Sequence, residues 1–551
     1  MSYPSGFNAD GLNPQIIIKD KDGATQFTWE HDAIDPSPTR DFDLVDWRID
    51  GGVGTFHGIG QILIDDRLQA LVDTTDLGRP LKIKNGWELI INLGKNQAGL
   101  TVWFDGIIEE PELITEQGSI TKIMVTAIGW GIIAAKKYTR IRRYQKKAAN
   151  GIDLDATDTA ARISELFKDL FQDTDHLAFP GGSTTGITVV GVDTIDIKLP
   201  DLQRDFVSLG SVANELANIG GAIWGITPSK DAYLRLRGVT PSGFLITNDL
   251  TALKTTGWPV AKLMISRQER FNFKESTIDS GYTIIHGTGA QHDKLDHDET
   301  SSNATLDLDT ETSFKFTPEF DNISKVGVFL SKVGTIDKDL HLCIVDVDGS
   351  GVPNPLAIKQ RITIAAERLE REVTTGGIYF EVSFNSKVLL AANVEYGILF
   401  GAYPDSGELF IDYQTGSGTY YRSGVQTGEV KFRTYHSKTM HIIGQNVVAR
   451  QSLRDKEHTM NLSDFPNEES ATVAMEGMLE NLAKIKRIYN PIVVSAPDDY
   501  LDVGKTCQVI DTALGLEDTV DIMGFSISGS AFDGGNLGAE NMEVYVAKVY
   551  L

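Results

Sequence analysis

Cysteine is almost absent from this sequence: Cys343 and Cys507 are the only two in 551 residues. So few, so far apart, argue against a disulfide scaffold and against a cysteine-based zinc site. Long apolar runs are missing as well. None approaches the roughly eighteen residues a spanning helix needs, and the N-terminus lacks a basic-then-apolar signal pattern. The expectation is a soluble chain with no membrane span and no classical secretion signal. Positive charge is scarce: 51 Lys and Arg stand against 76 Asp and Glu, for a net charge of −25. That balance keeps a large protein soluble and makes bulk binding to duplex DNA a poor fit, so no specific nucleic-acid binding is expected. Catalytic signatures are absent too. There is no Gly-x-Ser-x-Gly, His-Glu-x-x-His, Gly-x-x-x-x-Gly-Lys-Ser/Thr or Cys-x-x-Cys. His57, His286, His341, His436 and His441 are scattered through strand-like stretches and read as structural. No catalytic residue, no metal and no cofactor is expected.

What is abundant points to strands. Fifty-three glycines, 9% aromatics and many short alternating runs predict a mainly β protein with some α, long enough for several domains. The most regular stretch, Arg79–Lys136, reads as four strands: Pro80–Lys84, Trp87–Leu93, Leu100–Ile108 and Ser119–Ile128. Asn85-Gly86 between the first two is a tight-hairpin signature, and Gly99 and Gln117-Gly118 supply further turns. Trp87, Leu89, Ile91 and Leu93 alternate along one strand, and Val102, Phe104 and Ile108 along the next, so one face is buried. Such a meander needs closure or neighbours to hide its edges. Upstream, residues 1–11 read as a loose arm. Asp22-Gly23 joins Ile16–Lys19 to Gln26–Glu30, and Phe42–Ile49 and Gly54–Ile64 add strands. Gly51-Gly52 and Gly58-Ile59-Gly60 imply bulges or close backbone approach.

Helical spacing appears twice in the middle of the chain. Asp155–Phe171 places Ile163, Leu166, Phe167, Leu170 and Phe171 on one face. Phe206–Ile219 does the same with Val207, Val212, Leu216 and Ile219, and Gly220-Gly221 stops it. A hairpin follows, Ala222–Ile226 and Tyr233–Leu236, with Lys230 and Asp231 as turn residues. Further on, Asp293–Thr310 is acidic and Ser/Asn/Thr-rich and reads as a linker. Its His292–Thr300 segment has ligand-type residues but no standard metal spacing. A third helix is expected from Glu468 to Arg487.

Two candidate surfaces stand out. Lys136–Lys147 carries seven basic residues in twelve. Arg140, Arg142, Arg143, Lys146 and Lys147 would form a docking strip for an acidic partner or subunit, or a nucleic-acid contact with Tyr138 and Tyr144 interleaved. The alternative is a solvated run paired with the protein's own acidic surface. Tyr403, Tyr413, Tyr420 and Tyr421, near turns, could stack on sugars; ordinary rim packing reads equally well. Asp346–Gly351 has the start of a calcium loop without its remaining ligands, and is read as a turn.

"LKIKNGWELIINLG", "WFDGIIEEPE" and "TKIMVTAIGW" resemble the tail-tube-like barrel of tailed-phage baseplate hub (tail-tip) proteins. Phe104, Gly106, Ile108, Val125 and Ala127 hold that family's Phe-x-Gly-x-Ile and Val-x-Ala places. "VANELANIGGAIWGITPSKDAYLRLR" is similar to the family's small α/β domain. Tyr500, Leu501, Gly504, Lys505, Cys507 and Val509 fall in the slot of its Leu-x-x-Gly-Asp-x-Val-x-Val motif. The strands of 314–435 resemble jelly-roll carbohydrate-binding modules. The resemblance implies an arm (1–11), a first hub barrel (12–145) and a small α/β domain (146–262). A second barrel (263–300 and 437–551) would be split by an inserted β-sandwich (301–436). It also implies a homotrimer that presents six barrels in a ring at the tail tip of a virion, made in the host cytoplasm. Its partners would be the tail tube or distal tail protein, a spike or fibre protein, the tape-measure protein and, through the sandwich, host surface glycan. A carbohydrate-active enzyme or glycan-binding adhesin is the alternative.

Overall fold

The alternating runs fold as long ladders, and the molecule is mainly β. The computed structural model describes residues 11–30, 43–54, 58–66, 71–72, 81–95, 99–116, 119–137, 142–144, 161–172, 187–199, 202–204, 207–249, 262–268, 271–277, 280–299, 304–401, 407–422, 424–463, 465, 468–512, 515–530 and 538–550.

Seven strands make the first half of a large sheet. They are β1 (Asn13–Lys19), β2 (Thr25–Glu30), β3 (Asp43–Gly52), β4 (Ile59–Asp65), β5 (Glu88–Gly94), β6 (Thr101–Glu116) and β7 (Ser119–Gly129). Their order is β2-β1-β5-β6-β7-β4-β3. The Asp22-Gly23 hairpin forms because Gly23 takes φ 83° and the Asp20 carboxylate accepts from the Asp22 and Ala24 amides. The sheet curls until Phe27 and Trp29 of β2 face Leu44 of β3 across an apolar void of about 20 Å³.

Two local expectations fail here. Pro80–Lys84 is not a ladder strand: Leu81 makes a single bridge to Val72, and Asn85-Gly86 turns the chain into β5, whose partners are β1 and β6. Val102 is not on the buried face. A register shift opposite Ile91/Asn92 turns both Trp103 and Phe104 inward and leaves Val102 exposed.

The same region explains the Phe-x-Gly-x-Ile motif as packing. The Phe104 ring packs against two glycines: a Cβ on Gly60 would sit 2.5 Å from it, and one on Gly106 2.7 Å from it and 2.4 Å from the Ile128 carbonyl oxygen. Gly106→Ala should therefore cost about 1–3 kcal/mol, as overpacking does. A shift in the urea midpoint checks this, and an unchanged midpoint would remove the packing account.

The second half of the sheet is closed. Leu263–Ile265 runs parallel to Pro241–Thr247, which runs parallel to Thr506–Asp511. Antiparallel pairing continues through Leu516–Ser530 and Asn541–Tyr550 to Ile492–Ser495. The Ser266–Val494 bridge and the Arg267 amide on the Val493 carbonyl (2.8 Å) return to the start, so six strands form a barrel. Phe273–Ser276 and Ile485–Tyr489 extend it at one side. Both halves share one apolar core, from Ile16 through Trp103 to Val546.

A second core packs helices Ile163–Gln172, Leu209–Gly220 and Glu468–Leu482 against the hairpin Ala222–Ile226/Asp231–Leu236. Ser208 caps the middle helix through the Ser211 amide, so the helix starts at Leu209, later than expected, while Gly221 ends it at φ 64°, as the Gly-Gly pair predicted. The first helix begins at Ile163, and the expected turns before residue 161 lie outside the described residues, as do residues 1–10. The third ends at Leu482, because Ile485–Tyr489 pairs as a strand.

The expected divisions at 262/263, 300/301 and 436/437 are not the ones the ladders follow. Pro241–Thr247 belongs to the closed barrel, where Phe244 and Ile246 fill the core. Helix Glu468–Leu482 belongs to the helical core. The first part of the expected linker is a strand: Ile284–Glu299 pairs with Phe432–Gln445 from end to end, across two register shifts. Those two strands run from the helical core (Ile285, Met440) to a third core (Val326, Phe432), which the inserted segment builds for itself. The insert is therefore carried on a two-stranded stalk. Lys325, buried in the insert, clamps it by pairing with Glu381 (3.2 Å) beneath the Tyr435 ring.

Candidate functional site: the seam between the half-sheets

The two half-sheets join where β3 pairs antiparallel with Leu516–Ser530, from Asp46 opposite Ser530 to Gly52 opposite Gly524. Glycine makes this approach possible. A Cβ on Gly51 would lie 2.5 Å from the Phe525 ring, and one on Gly524 2.6 Å from the Gly51 carbonyl oxygen. Beside the seam, Trp103 meets Tyr500 and Phe525 edge-on, each at 5.6 Å between ring centroids.

The hairpin of the helical core docks into the same place. Arg235, only 6% exposed, donates to both Asp502 carboxylate oxygens (2.9 and 3.2 Å) and to the Val503 carbonyl (2.8 Å). Its guanidinium also lies 4.0 Å over the Tyr233 ring. Burial raises the Tyr233 and Tyr500 phenols well above their ordinary value, so both stay neutral donors. Burial, with Asp521 nearby, pushes the Cys507 thiol up to about 12, which makes it an inert packing residue.

At the edge of the seam a cavity of about 40 Å³ is lined by Trp103, Asp105, Trp130, Tyr233, Tyr500 and Asp502, among others. Burial, then the Glu88 carboxylate beside it, pushes the Asp105 carboxyl up to about 7, while Lys230 pulls it the other way. A perturbed carboxyl in a cleft marks a functional-site candidate. This space, however, is far below the roughly 300–1,000 Å³ that small-molecule sites occupy. It admits water-sized groups, not a sugar ring.

The residues expected from sequence are not gathered here. Arg140, Lys146, Lys147 and Tyr403 lie outside the described residues. Arg142 and Arg143 sit on the short strand Arg142–Tyr144, paired with Leu202–Arg204. Lys136 at the start of the basic strip pairs with Glu109 at 2.7 Å. Tyr420 is buried in the insert's core with Tyr413 edge-on at 5.5 Å, and the Tyr421 hydroxyl donates to the Gly351 carbonyl. Asp346–Gly351 makes a turn in which Asp348 accepts from the Ser350 and Val352 amides. Among the described residues, no group of three metal-ligating side chains is brought together, and no helix is long and apolar enough to cross a membrane. Sequence reasoning missed Arg235 and Asp105. Each is a charge set directly between apolar or aromatic neighbours ("YLRL", "WFDGII"), which is the one local signal either gives.

No family model and no curated protein sequence matches the chain. Among solved structures, it is similar to a tail protein from Neisseria meningitidis MC58: 8% identity, 98% of this chain and 96% of that one, TM-score 0.43. A 43 kDa tail protein of prophage MuSo2 from Shewanella oneidensis gives 9% identity, 97% and 98% coverage, and TM-score 0.41. A third is the E. coli c3393 protein, a component of the type VI secretion system described as structurally similar to T4 phage tail proteins gp27 and gp5. There the identity is 7%, coverage 94% and 76%, and the TM-score 0.34. At these scores the likeness decides nothing about the site.

Proposed function

We propose that this chain is a structural tail component: the trimeric hub at the distal end of a phage tail, joining the tail tube to a spike or fibre apparatus in the virion. The observation that supports it is the seam. Two barrel-like half-sheets are fused side by side in one chain, around one core and through one glycine-lined strand pair. Such a chain supplies two ring positions, so three copies supply six. A ring of that kind meets a sixfold tube on one side and offers threefold symmetry on the other, and closed assembly satisfies complementary surfaces without open growth. The motifs around Phe104 and Tyr500 that resemble hub barrels serve packing in this fold, as a scaffold requires. The tape-measure protein would thread the same ring.

Mass photometry of the purified chain, alone and with tail partners, tests this. The expected species is a trimer, and a chain that stays monomeric or dimeric even in the assembled particle would overturn the reading. The basic strip belongs at an interface in this arrangement. Reversing the charge of Arg142 and Arg143 should weaken assembly, more so at low salt where screening is slight. Unchanged assembly would assign the strip to a solvated face.

A further inference from the structure

At the tip of the Ala222–Ile226/Asp231–Leu236 hairpin, a charged side chain reaches the first half-sheet. Lys230 reaches across to Glu88 at the start of β5 (3.3 Å) and lies 3.9 Å over the Trp130 ring. Its backbone is held at φ 66°, one of two non-glycine residues with positive φ among the described residues. That conformation costs energy, so the surroundings must fix it. Behind the contact, Asp105 of β6 presses against Glu88, with one carboxylate oxygen buried and without a hydrogen-bond partner.

We propose that Asp105, Glu88 and Lys230 form a proton-controlled latch that fastens the hairpin of the helical core to the first half-sheet. The charged neighbours are few. Lys19 of β1 pairs with the other Glu88 oxygen (3.6 Å). Asp50 of β3 lines the cavity but is held by Arg48 (2.8 Å), and Asp502 by Arg235 and Lys505. Tyr233 and Tyr500, also on the cavity wall, stay neutral. The proton on Asp105 therefore decides the balance. Protonated, it shares its hydrogen with Glu88 and leaves one carboxylate for two lysines. Ionised, it sets a second negative charge against Glu88 in a half-buried site.

The sign follows from linkage. The carboxyl titrates near 7 when latched and near its ordinary 3.8 when released. The latch is tightest below that lower value and loosens as pH rises. The open-to-closed ratio grows by up to roughly tenfold per pH unit, then levels off above about 7. The latch does not depend on the hub reading, since it concerns contacts within one chain.

Hydrogen exchange of the full-length chain tests it, reading amides of 222–236 from pH 5 to 8 with intrinsic rates corrected. The wild type should show opening that rises toward pH 7 and then plateaus. Asp105→Asn should be flat across the range, and Lys230→Met should open the hairpin more at every pH. Glu88→Gln, which removes the neighbouring carboxylate, should move the plateau to lower pH and serves if Asp105→Asn does not fold. A wild-type profile in Asp105→Asn or an unmoved plateau in Glu88→Gln would overturn the proposal. So would unchanged protection in Lys230→Met.

Discussion

Arg235→Ala is expected to destabilise the protein by about 3–5 kcal/mol, the usual result of removing one partner of a buried ion pair. The substitution strands the Val503 carbonyl, leaves Asp502 with Lys505 alone, and uncovers the Tyr233 ring that the guanidinium caps. Arg235→Lys should recover little, because an ammonium cannot donate to two carboxylate oxygens and a carbonyl in one plane. Urea denaturation followed by tryptophan fluorescence measures the loss, with Trp103 and Trp224 sitting on either side of the docking site. A loss below about 1 kcal/mol, in the range of a surface pair, would mean the hairpin does not depend on this contact.

The second large effect concerns where the insert can be cut away. Gly289 and Met440 are opposite each other in the stalk, so replacing Ala290–Thr439 with Asn-Gly should close a two-residue hairpin in register. The trimmed chain should stay soluble and keep the unfolding transition of the remaining body. Replacing 301–436 with a flexible linker should do worse. It removes Phe432–His436, the partners of Lys294–Glu299, and leaves that strand with an open edge that invites aggregation. Equal behaviour of the two deletions would contradict the stalk.

These cases mark what the sequence could and could not reveal. The Asp22-Gly23 turn, the apolar face of helix Ile163–Gln172 and the Gly221 stop are set by neighbours a few residues away, so local pattern exposes them. Gly51, Gly52, Gly58 and Gly60 pointed to close approach, but not to the Phe525 and Phe104 rings that occupy the space. Pro241–Thr247 is not among the strands expected from sequence, and nothing local says that it joins Thr506–Asp511 some 265 residues later. Alternation gives a face, never a partner. The stalk was hidden for a different reason. "QHDKLDHDE" carries too many charges to show a buried face, and so it reads as a linker. The docking site was illegible because a buried Arg–Asp pair joins two residues 267 apart in the chain.

The most direct measurement of the central claim is a cryo-EM map of the assembled tail tip or of the purified oligomer, traced through the seam between β3 and Leu516–Ser530. The expected map shows three chains in a ring of six barrels, with the two barrels of each chain adjacent and joined by that strand pair. A ring in which each chain contributes a single barrel, or an assembly without threefold symmetry, would contradict it.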